Sequence, residues 1–266
     1  MPELPEVETV VKTLENQIKD SQIADIKVLY EPIVGNAESF KELIGQHFRL
    51  FARRGKYLLF YLDEKLLVAH MRMEGKFYIL TDKDPIDKHT HVIFYLADGR
   101  QLRYHDVRKF GRMEIRPLDQ NLKDFHGLGP EPFDQAFNRA YCRAYLAQRS
   151  KPIKEVLLDQ SFVAGIGNIY ADEICFATHI LPTRPASELN DDDCDLLIQA
   201  TRTILAAAIK QGGTTIRSYT SSLGVTGRFQ QELMIHTRQL CGCCNHEVKK
   251  IRVGGRGTYY CPVCQK

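Results

Sequence analysis

The spacing of apolar residues changes once along this chain, and that change limits the fold more than any other feature. From about Ile23 to Ile115 they come in short β-branched or aromatic runs with partial alternation: IADIKVLY, YLLFYL, LLVAHM, KFYIL, HVIFYL and RQLRY. Ala97-Asp98-Gly99-Arg100 has the composition of a hairpin turn between the last two. Six or more short strands with little helix between them predict an antiparallel sandwich or barrel. Ahead of them Val7, Val10, Val11, Leu14 and Ile18 recur at helical spacing, which predicts a helix from Pro5 to about Lys19. Pro5 suits the first turn, and Glu6 and Glu8 suit the positive end of the helix dipole. After Gly127, Gly129, Pro130 and Pro132, which read as a linker, the chain becomes helical: FNRAYCRAYLAQR, IKEVLLD, NIYADEICFATH and DDDCDLLIQATRTILAAAIK. Asn190 is the expected N-cap of the last of these, which stops before Gly212-Gly213. Ser218 to Gly227, rich in Gly, Ser and Thr, reads as a mobile loop. The fold class expected is α+β.

Composition excludes several classes. An apolar share of 44% with 26% charged residues describes a globular chain rather than a disordered one. No apolar run approaches the roughly 18 residues of a spanning helix. The opening MPELPEVE is acidic and lacks the apolar stretch of a signal peptide, so a cytoplasmic location is expected. Eight cysteines in that compartment should be thiols or metal ligands, not disulfides.

Four of them have a metal spacing. Cys241-x2-Cys244 and Cys261-x2-Cys264 form two knuckles separated by sixteen residues, the pattern of a closed, structural Zn2+ site. Cys243 could compete with Cys244, but only Cys244 has the x2 spacing. Cys142, Cys175 and Cys194 lie in helical patterns and are expected to be buried as small apolar residues. The zinc would pin the hairpin between the knuckles, whose tip carries Arg256 among glycines, able to approach a phosphate closely. The segment from Thr201 to Lys266 holds ten Lys and Arg against two acids, while the whole chain has a net charge of only +3. A polyanion partner, nucleic acid first, is the functional reading; a solvated basic face is the alternative.

The amino terminus has its own chemistry. Pro2 follows Met1, and removal of the methionine would leave a secondary amine. An α-amino group titrates near 7.7–8.0, against about 10.4 for lysine, so far more of it is neutral at physiological pH. A neutral amine can attack a sugar C1′, and a secondary one yields an iminium that acts as an electron sink. Glu3 could move the proton. The plain alternative is a proline-started helix with ordinary first-turn carboxylates.

With these features in view, the chain resembles the formamidopyrimidine-DNA glycosylase family nearly end to end. The resemblance rests on MPELPEVETV, RRGKYLLF, HMRMEG, DVRKFG, LGPEP, GIGNIYADEI and GRGTYYCPVCQK, in that order. PELPE rather than PEGPE favours this family over its endonuclease VIII sister. The resemblance implies an N-terminal helix plus antiparallel β-sandwich over residues 1–117 and a linker over 118–133. It further implies a helical domain with a helix-two-turn-helix over 134–236 and a four-cysteine zinc finger over 237–266. DNA would lie between the halves, and the protein would act as a monomer without a membrane partner.

The resemblance also implies roles. Pro2 would be the Schiff-base nucleophile and Glu3 its acid/base. Lys56 would bind phosphate and donate a proton in β-elimination. Arg256 would hold the phosphates flanking the lesion and assist δ-elimination. Asn168 would bind phosphate. Met73, Arg108 and Phe110 would fill the gap left by the extruded base, and His70, His89 and Lys154 would lie near the DNA. The implied activity is removal of oxidised purines (8-oxoguanine and formamidopyrimidines) from duplex DNA, followed by β,δ-elimination at the abasic site. Two alternatives remain: an oxidised-pyrimidine glycosylase on the same scaffold, or a non-catalytic zinc-stapled DNA-binding protein. The Ser218–Gly227 loop is expected to contact the base. One segment departs from the family: His236-Thr237 stand where a Tyr-Gly pair is usual, and 234–240 is about two residues short before Cys241.

Overall fold

The computed structural model of the chain describes residues 1–119, 125–214 and 227–266. Ser218 to Thr226 of the expected loop lie outside the described residues. The described residues form two compact units: 1–119 with Thr214 and Gly227, and 125–213 with 228–266.

The first unit runs α1 (Leu4–Ile18), β1 (Ile23–Val28), α2 (Ala37–Phe40), β2 (Leu50–Arg54), β3 (Tyr57–Tyr61), β4 (Lys65–His70), β5 (Lys76–Leu80), β6 (Thr90–Leu96), β7 (Gln101–His105) and β8 (Arg112–Pro117). Among the described residues these strands make two antiparallel four-stranded sheets, ordered β1-β6-β7-β5 and β2-β3-β4-β8. Their inner faces share one aromatic core. Phe60 of β3 meets Phe77 of β5 edge-on at 5.6 Å between ring centres, and Phe48 meets Phe94 of β6 at 6.3 Å. The predicted sandwich is therefore present. Helix α1 packs on β2 and β3 through the apolar stripe read from the sequence: Val7, Val10, Val11, Leu14 and Ile18 are all buried.

All six apolar runs are strands, and the Ala97–Arg100 turn joins β6 to β7 with Tyr95 opposite Gln101. The runs did not include β2 and β8. Each buries a single residue, Phe51 and Met113 respectively, and its other positions are charged or half-exposed, so period-2 alternation is too weak to see. Arg103 of β7 is buried at 2% exposure. Its guanidinium donates to the carbonyls of Thr81, Asp84 and Pro85 and to Gln101 Oε1, at 2.8–3.0 Å. On the surface Asp63 accepts from His47 and Arg49, and those hydrogen bonds, His47 first, hold its carboxyl down to about 2.

The second unit contains α3 (Arg139–Leu146), α4 (Ile153–Leu158), α5 (Asn168–Ala177), α6 (Asp191–Lys210) and the hairpin β9 (Lys249–Val253) and β10 (Arg256–Tyr260). Leu146, Ile153, Leu157, Phe162, Tyr170, Ile174, Leu197 and Leu205 are fully buried in it. The connection from α4 to α5 is held by one side chain. Gln160 donates from Nε2 to the carbonyls of Leu158 and Ile166 and accepts the Gly165 N–H, each at 2.9 Å. That fixes where α5 begins, and so where Asn168 sits. The Gly127–Pro132 stretch is fastened at its far end: Gly129 N–H donates to Gln160 and Ala164 N–H to Pro130. The three helical cysteines, Cys142, Cys175 and Cys194, are fully buried as expected.

Helix α6 begins where the sequence places it. Asn190 caps the Asp193 N–H at 2.8 Å, and the Asp193 carboxylate returns a bond to the Asn190 N–H at 3.0 Å. Asn190→Ala should cost about 1 kcal/mol of stability. Urea unfolding followed by far-UV circular dichroism would show it as a lowered midpoint; an unchanged midpoint would mean the cap contributes nothing to the cooperative unit.

Candidate active site and metal centre

Helix α1 is entered through Glu3, whose backbone is extended at φ −100°. Glu3 and Glu6 form a reciprocal capping box, with the Glu3 N–H donating to Glu6 Oε2 at 2.9 Å. Both carboxylates are buried, at 3% and 4% exposure. The other oxygen of Glu6 accepts the backbone N–H of Thr214 at 2.7 Å and its hydroxyl at 3.0 Å. Glu6 is thus a structural clamp as well as a dipole partner, which first-turn position alone did not reveal.

Pro2 is buried beside this box, directly before Glu3. Burial pushes the α-amine of Met1, one residue ahead of Pro2, below its ordinary value; Lys56 acts in the same direction, while Glu3, Glu6 and Glu74 oppose it. Lys56, itself buried, sits in the two-residue turn between β2 and β3. The amine therefore shares one electrostatic environment with Glu3, Lys56 and two further carboxylates. Glu74 follows Met73 in the 71–75 turn, and no motif had singled it out.

The remaining first-unit candidates occupy the turns after β4 and β7 and the approach to β6. His70, the last residue of β4, is buried edge-on to Tyr57 and accepts the Arg72 N–H at Nδ1. Met73 is half-buried in the next turn. Arg108 and Phe110 are exposed together, the guanidinium 4.8 Å from the ring centre. Their turn is built on Asp106, fully buried, which accepts the N–H groups of Arg108 and Gly111 at 3.0 and 2.8 Å. His89 lies edge-on to His105 at 5.5 Å.

In the second unit Lys154, which the resemblance places near the DNA, has its charge inside the protein. It is fully buried, and its ammonium donates to Asp172 Oδ1 (2.6 Å), Thr258 Oγ1 (2.8 Å) and the Gly257 carbonyl (3.1 Å). All three of its protons have partners there, so it holds a strand and presents no charge to the surface. Asn168, the first residue of α5, donates to the same Gly257 carbonyl at 3.0 Å, and its Oδ1 is buried without a partner. Arg256 is one residue away and exposed. It lines an open cavity of about 560 Å3 together with Arg149, Lys151, Glu155 and Asp159. The short basic run Arg149-Ser150-Lys151 before α4 was the available signal for that neighbourhood, masked by its place at the end of a helical pattern.

Segment 234–236 is tied down by two successive acids of α5. Glu173 accepts the N–H groups of Met234, Ile235 and His236 at 2.8–3.0 Å, and Asp172 Oδ2 lies 2.7 Å from His236 Nδ1. Burial raises the Glu173 pKa against the pull of those amides. His236 is thus inserted as a partner of Asp172, with its ring against Tyr259.

Cys241, Cys244, Cys261 and Cys264 bring their sulfurs within 4.8 Å of one another, the one such cluster among the described residues. The Cys241–Cys264 and Cys244–Cys261 pairs are 3.8 and 3.5 Å apart. A zinc ion with bonds of about 2.3 Å in a tetrahedron needs sulfurs about 3.8 Å apart, so the four can hold one Zn2+. Burial raises the Cys241 thiol, but the N–H groups of Cys244 and Cys243 outweigh it and bring it down to about 7, which favours the thiolate a metal needs. Cys243 contributes that amide while its side chain stays exposed outside the cluster.

Residues 1–113 match the family model described as formamidopyrimidine-DNA glycosylase N-terminal domain, and residues 128–220 match its H2TH domain. The chain is 44% identical to the formamidopyrimidine-DNA glycosylase of Oceanobacillus iheyensis over 273 residues, covering 100% of this chain and 98% of the relative. It is 44% identical to the Streptococcus pneumoniae R6 protein of the same name, covering 100% and 99%. A Lactococcus lactis Fpg variant in complex with a Fapy-dG containing DNA superposes with a TM-score of 0.94 at 42% identity, over 100% of both chains. The Lactococcus lactis protein with an abasic site containing DNA also gives 0.94 at 42%, over 99% of both.

Removing zinc by chelation should disorder the β9–β10 hairpin. Structural zinc supplies roughly 10–16 kcal/mol to small sites of this kind, and few apolar side chains surround this one. Amide exchange across 249–260 should accelerate while the first unit keeps its protection. Metal analysis should find Cys244→Ser empty and Cys243→Ser loaded; the reverse would shift the knuckle by one residue. Lys154→Ala should destabilise the second unit by about 3 kcal/mol, because the buried Asp172 would lose its ammonium partner and keep only His236 and the Tyr259 N–H; denaturant unfolding measures it.

Proposed function

The chain belongs to the formamidopyrimidine-DNA glycosylase family, and on that premise we propose that it is a base-excision repair enzyme for oxidised purines, a DNA glycosylase with abasic-site lyase activity. The observation that carries this reading is the chain terminus. A buried proline precedes a capping-box glutamate, and burial lowers the pKa of the Met1 α-amine one residue ahead of it. An amine so placed is neutral over more of the physiological range and can act as a nucleophile.

The steps follow from that amine. With Met1 removed, the Pro2 nitrogen attacks C1′ as the glycosidic bond breaks, and the bonding pair leaves with the base, which takes up a proton. The sugar ring opens to an iminium between Pro2 and C1′. Loss of a C2′ proton, its electrons drawn toward the iminium, expels the 3′ phosphate; a second elimination expels the 5′ phosphate. Glu3 is the residue that moves protons beside the amine. Lys56 binds phosphate and donates a proton during β-elimination. Arg256 holds the phosphates flanking the lesion, and Asn168 binds phosphate close by. Zinc, when bound, supplies folding free energy to the finger that carries Arg256.

The target base is reached only after extrusion from the stack, which costs a few kcal/mol. Met73 and Phe110 recover part of that by filling the vacated space, with Arg108 bonding the orphaned base. Phe110 is 49% exposed with the Arg108 guanidinium against its ring, which supports a role outside the core. His70 and His89 lie along the same DNA path. Lys154 acts from beneath, through the carbonyl of Gly257. The DNA in the matching complexes, containing Fapy-dG or an abasic site, supports the same substrate class here. As a monomer in the bacterial cytoplasm, the protein would meet such lesions on the chromosome.

Borohydride reduction with a duplex bearing 8-oxoguanine, a formamidopyrimidine or an abasic site should trap a covalent adduct whose peptide maps to Pro2. A chain with an N-terminal extension should not trap. An adduct at Lys56 would overturn the assignment.

A further inference from the structure

We propose that Tyr104 and Asp106 form a positioning unit that joins the turn carrying Met73 to the turn carrying Arg108 and Phe110, so that the three side chains are presented as one rigid group. This rests on the reading that those side chains fill the space of an extruded base.

Tyr104 ends inside the sandwich at 1% exposure, paired with Phe77 of β5 at 5.1 Å between ring centres. Its hydroxyl reaches past the core to two backbones at once. A Cβ at Gly75 would stand 2.2 Å from that oxygen, and a Cβ at Gly111 would stand 1.6 Å from it. Neither position has room for a side chain while the phenol is in place, so the two turns close on the same atom from either side.

Asp106 completes the joint. Its Oδ2 accepts the Gly111 N–H at 2.8 Å and the Tyr104 hydroxyl at 3.3 Å, and its Oδ1 accepts the Arg108 N–H at 3.0 Å. Its own backbone is held by the His89 carbonyl at 2.9 Å and by His91 Nε2 at 2.7 Å. At the tip, Lys109 takes a left-handed φ of 58° and lays its ammonium over Tyr30 at 4.5 Å. In the other turn the Gly75 N–H donates to the Met71 carbonyl at 3.0 Å, with Met71 buried and Arg72 also left-handed at φ 53°.

The consequence is mechanical. A side chain that replaces a stacked base returns energy only if it arrives at the right height and angle, and exposed turns do not hold such precision unaided. Here both turns are referenced to one phenol oxygen whose ring is fixed in the core. Tyr104 and Asp106 touch no substrate in this scheme; they act through the residues they position.

The test is a double-mutant cycle with Tyr104→Phe, which keeps the ring and removes the hydroxyl. Single-turnover incision of a lesion duplex should fall by about tenfold, the effect of one lost hydrogen bond at a positioned group. In a Phe110→Ala background the same change should cost clearly less than tenfold, because one of the three positioned side chains is already gone. Cleavage of a single-stranded abasic substrate should be unaffected, since no stack is opened. Equal losses in both backgrounds, or on both substrates, would overturn the proposal, whereas failure of the wild-type protein to incise lesion duplexes would overturn the functional reading instead. Independently of activity, amide exchange in DNA-free Tyr104→Phe should quicken in both turns, 71–75 and 106–111, together. Loosening of one turn alone, or of neither, would also overturn the coupling. Gly111→Ala, which must displace the phenol, should reproduce the Tyr104→Phe pattern on duplex and single strand.

Discussion

The carboxylate of Asp172 is the point from which the second unit is built. It is fully buried, with Lys154 on one oxygen, His236 and the Tyr259 N–H on the other. Those partners come from α4, from segment 234–236 and from β10, so one side chain of α5 fastens three separate pieces of chain. A charge taken out of water is tolerated only when its partners are close and its lone pairs filled. The requirement works in both directions: the acid needs all of its partners, and their positions are fixed by that need. Arg256 inherits its place because Gly257 and Thr258, its neighbours along β10, are held by Lys154.

The same device recurs with different donors. Glu6 gathers the amides of Glu3 and Thr214, Asp106 those of Arg108 and Gly111, and Glu173 those of Met234, Ile235 and His236. In each case a buried carboxylate accepts backbone N–H groups from neighbouring chain and so fixes where that chain runs. Functional side chains are then free to face outward, because their backbone needs nothing from them. Phe110 and Arg108 stand exposed on the turn that Asp106 fastens in this way.

Much of this was legible in the chain. Helix α1, the six apolar runs, the Asn190 cap and the four-cysteine pattern follow from periodicity, capping chemistry and ligand spacing, all local signals. The acids were not. Glu6, Asp172 and Glu173 stand in helical segments where a carboxylate ordinarily faces water, and nothing near them in sequence announces a partner that lies 60 or 200 residues away. Lys154 was singled out by the resemblance alone, and its burial against Asp172 was equally invisible, since that partner lies 18 residues away. Met73 and Phe110 would have read as strand interior on pattern alone; only the resemblance singled them out. The replacement of Tyr-Gly by His236-Thr237 was visible as a departure, but its physical meaning required seeing Asp172 opposite the imidazole.

Arg103 marks a different solution, with a consequence for the conditions under which the first unit keeps its shape. Its buried charge rests on three carbonyl oxygens and an amide oxygen, none of which gains or loses a proton in the range where proteins work. The surface contact of Asp63 with His47 and Arg49 is lost once acid protonates the aspartate, and salt weakens it before that. Acid would also release Thr81 from the Asp84 carboxylate, but the carbonyl bonds by which Arg103 fastens the 81–85 stretch answer to neither. Its attachment is chemically silent, so souring the medium or raising its ionic strength would strip the outer ion pairs and leave this one internal rivet in place.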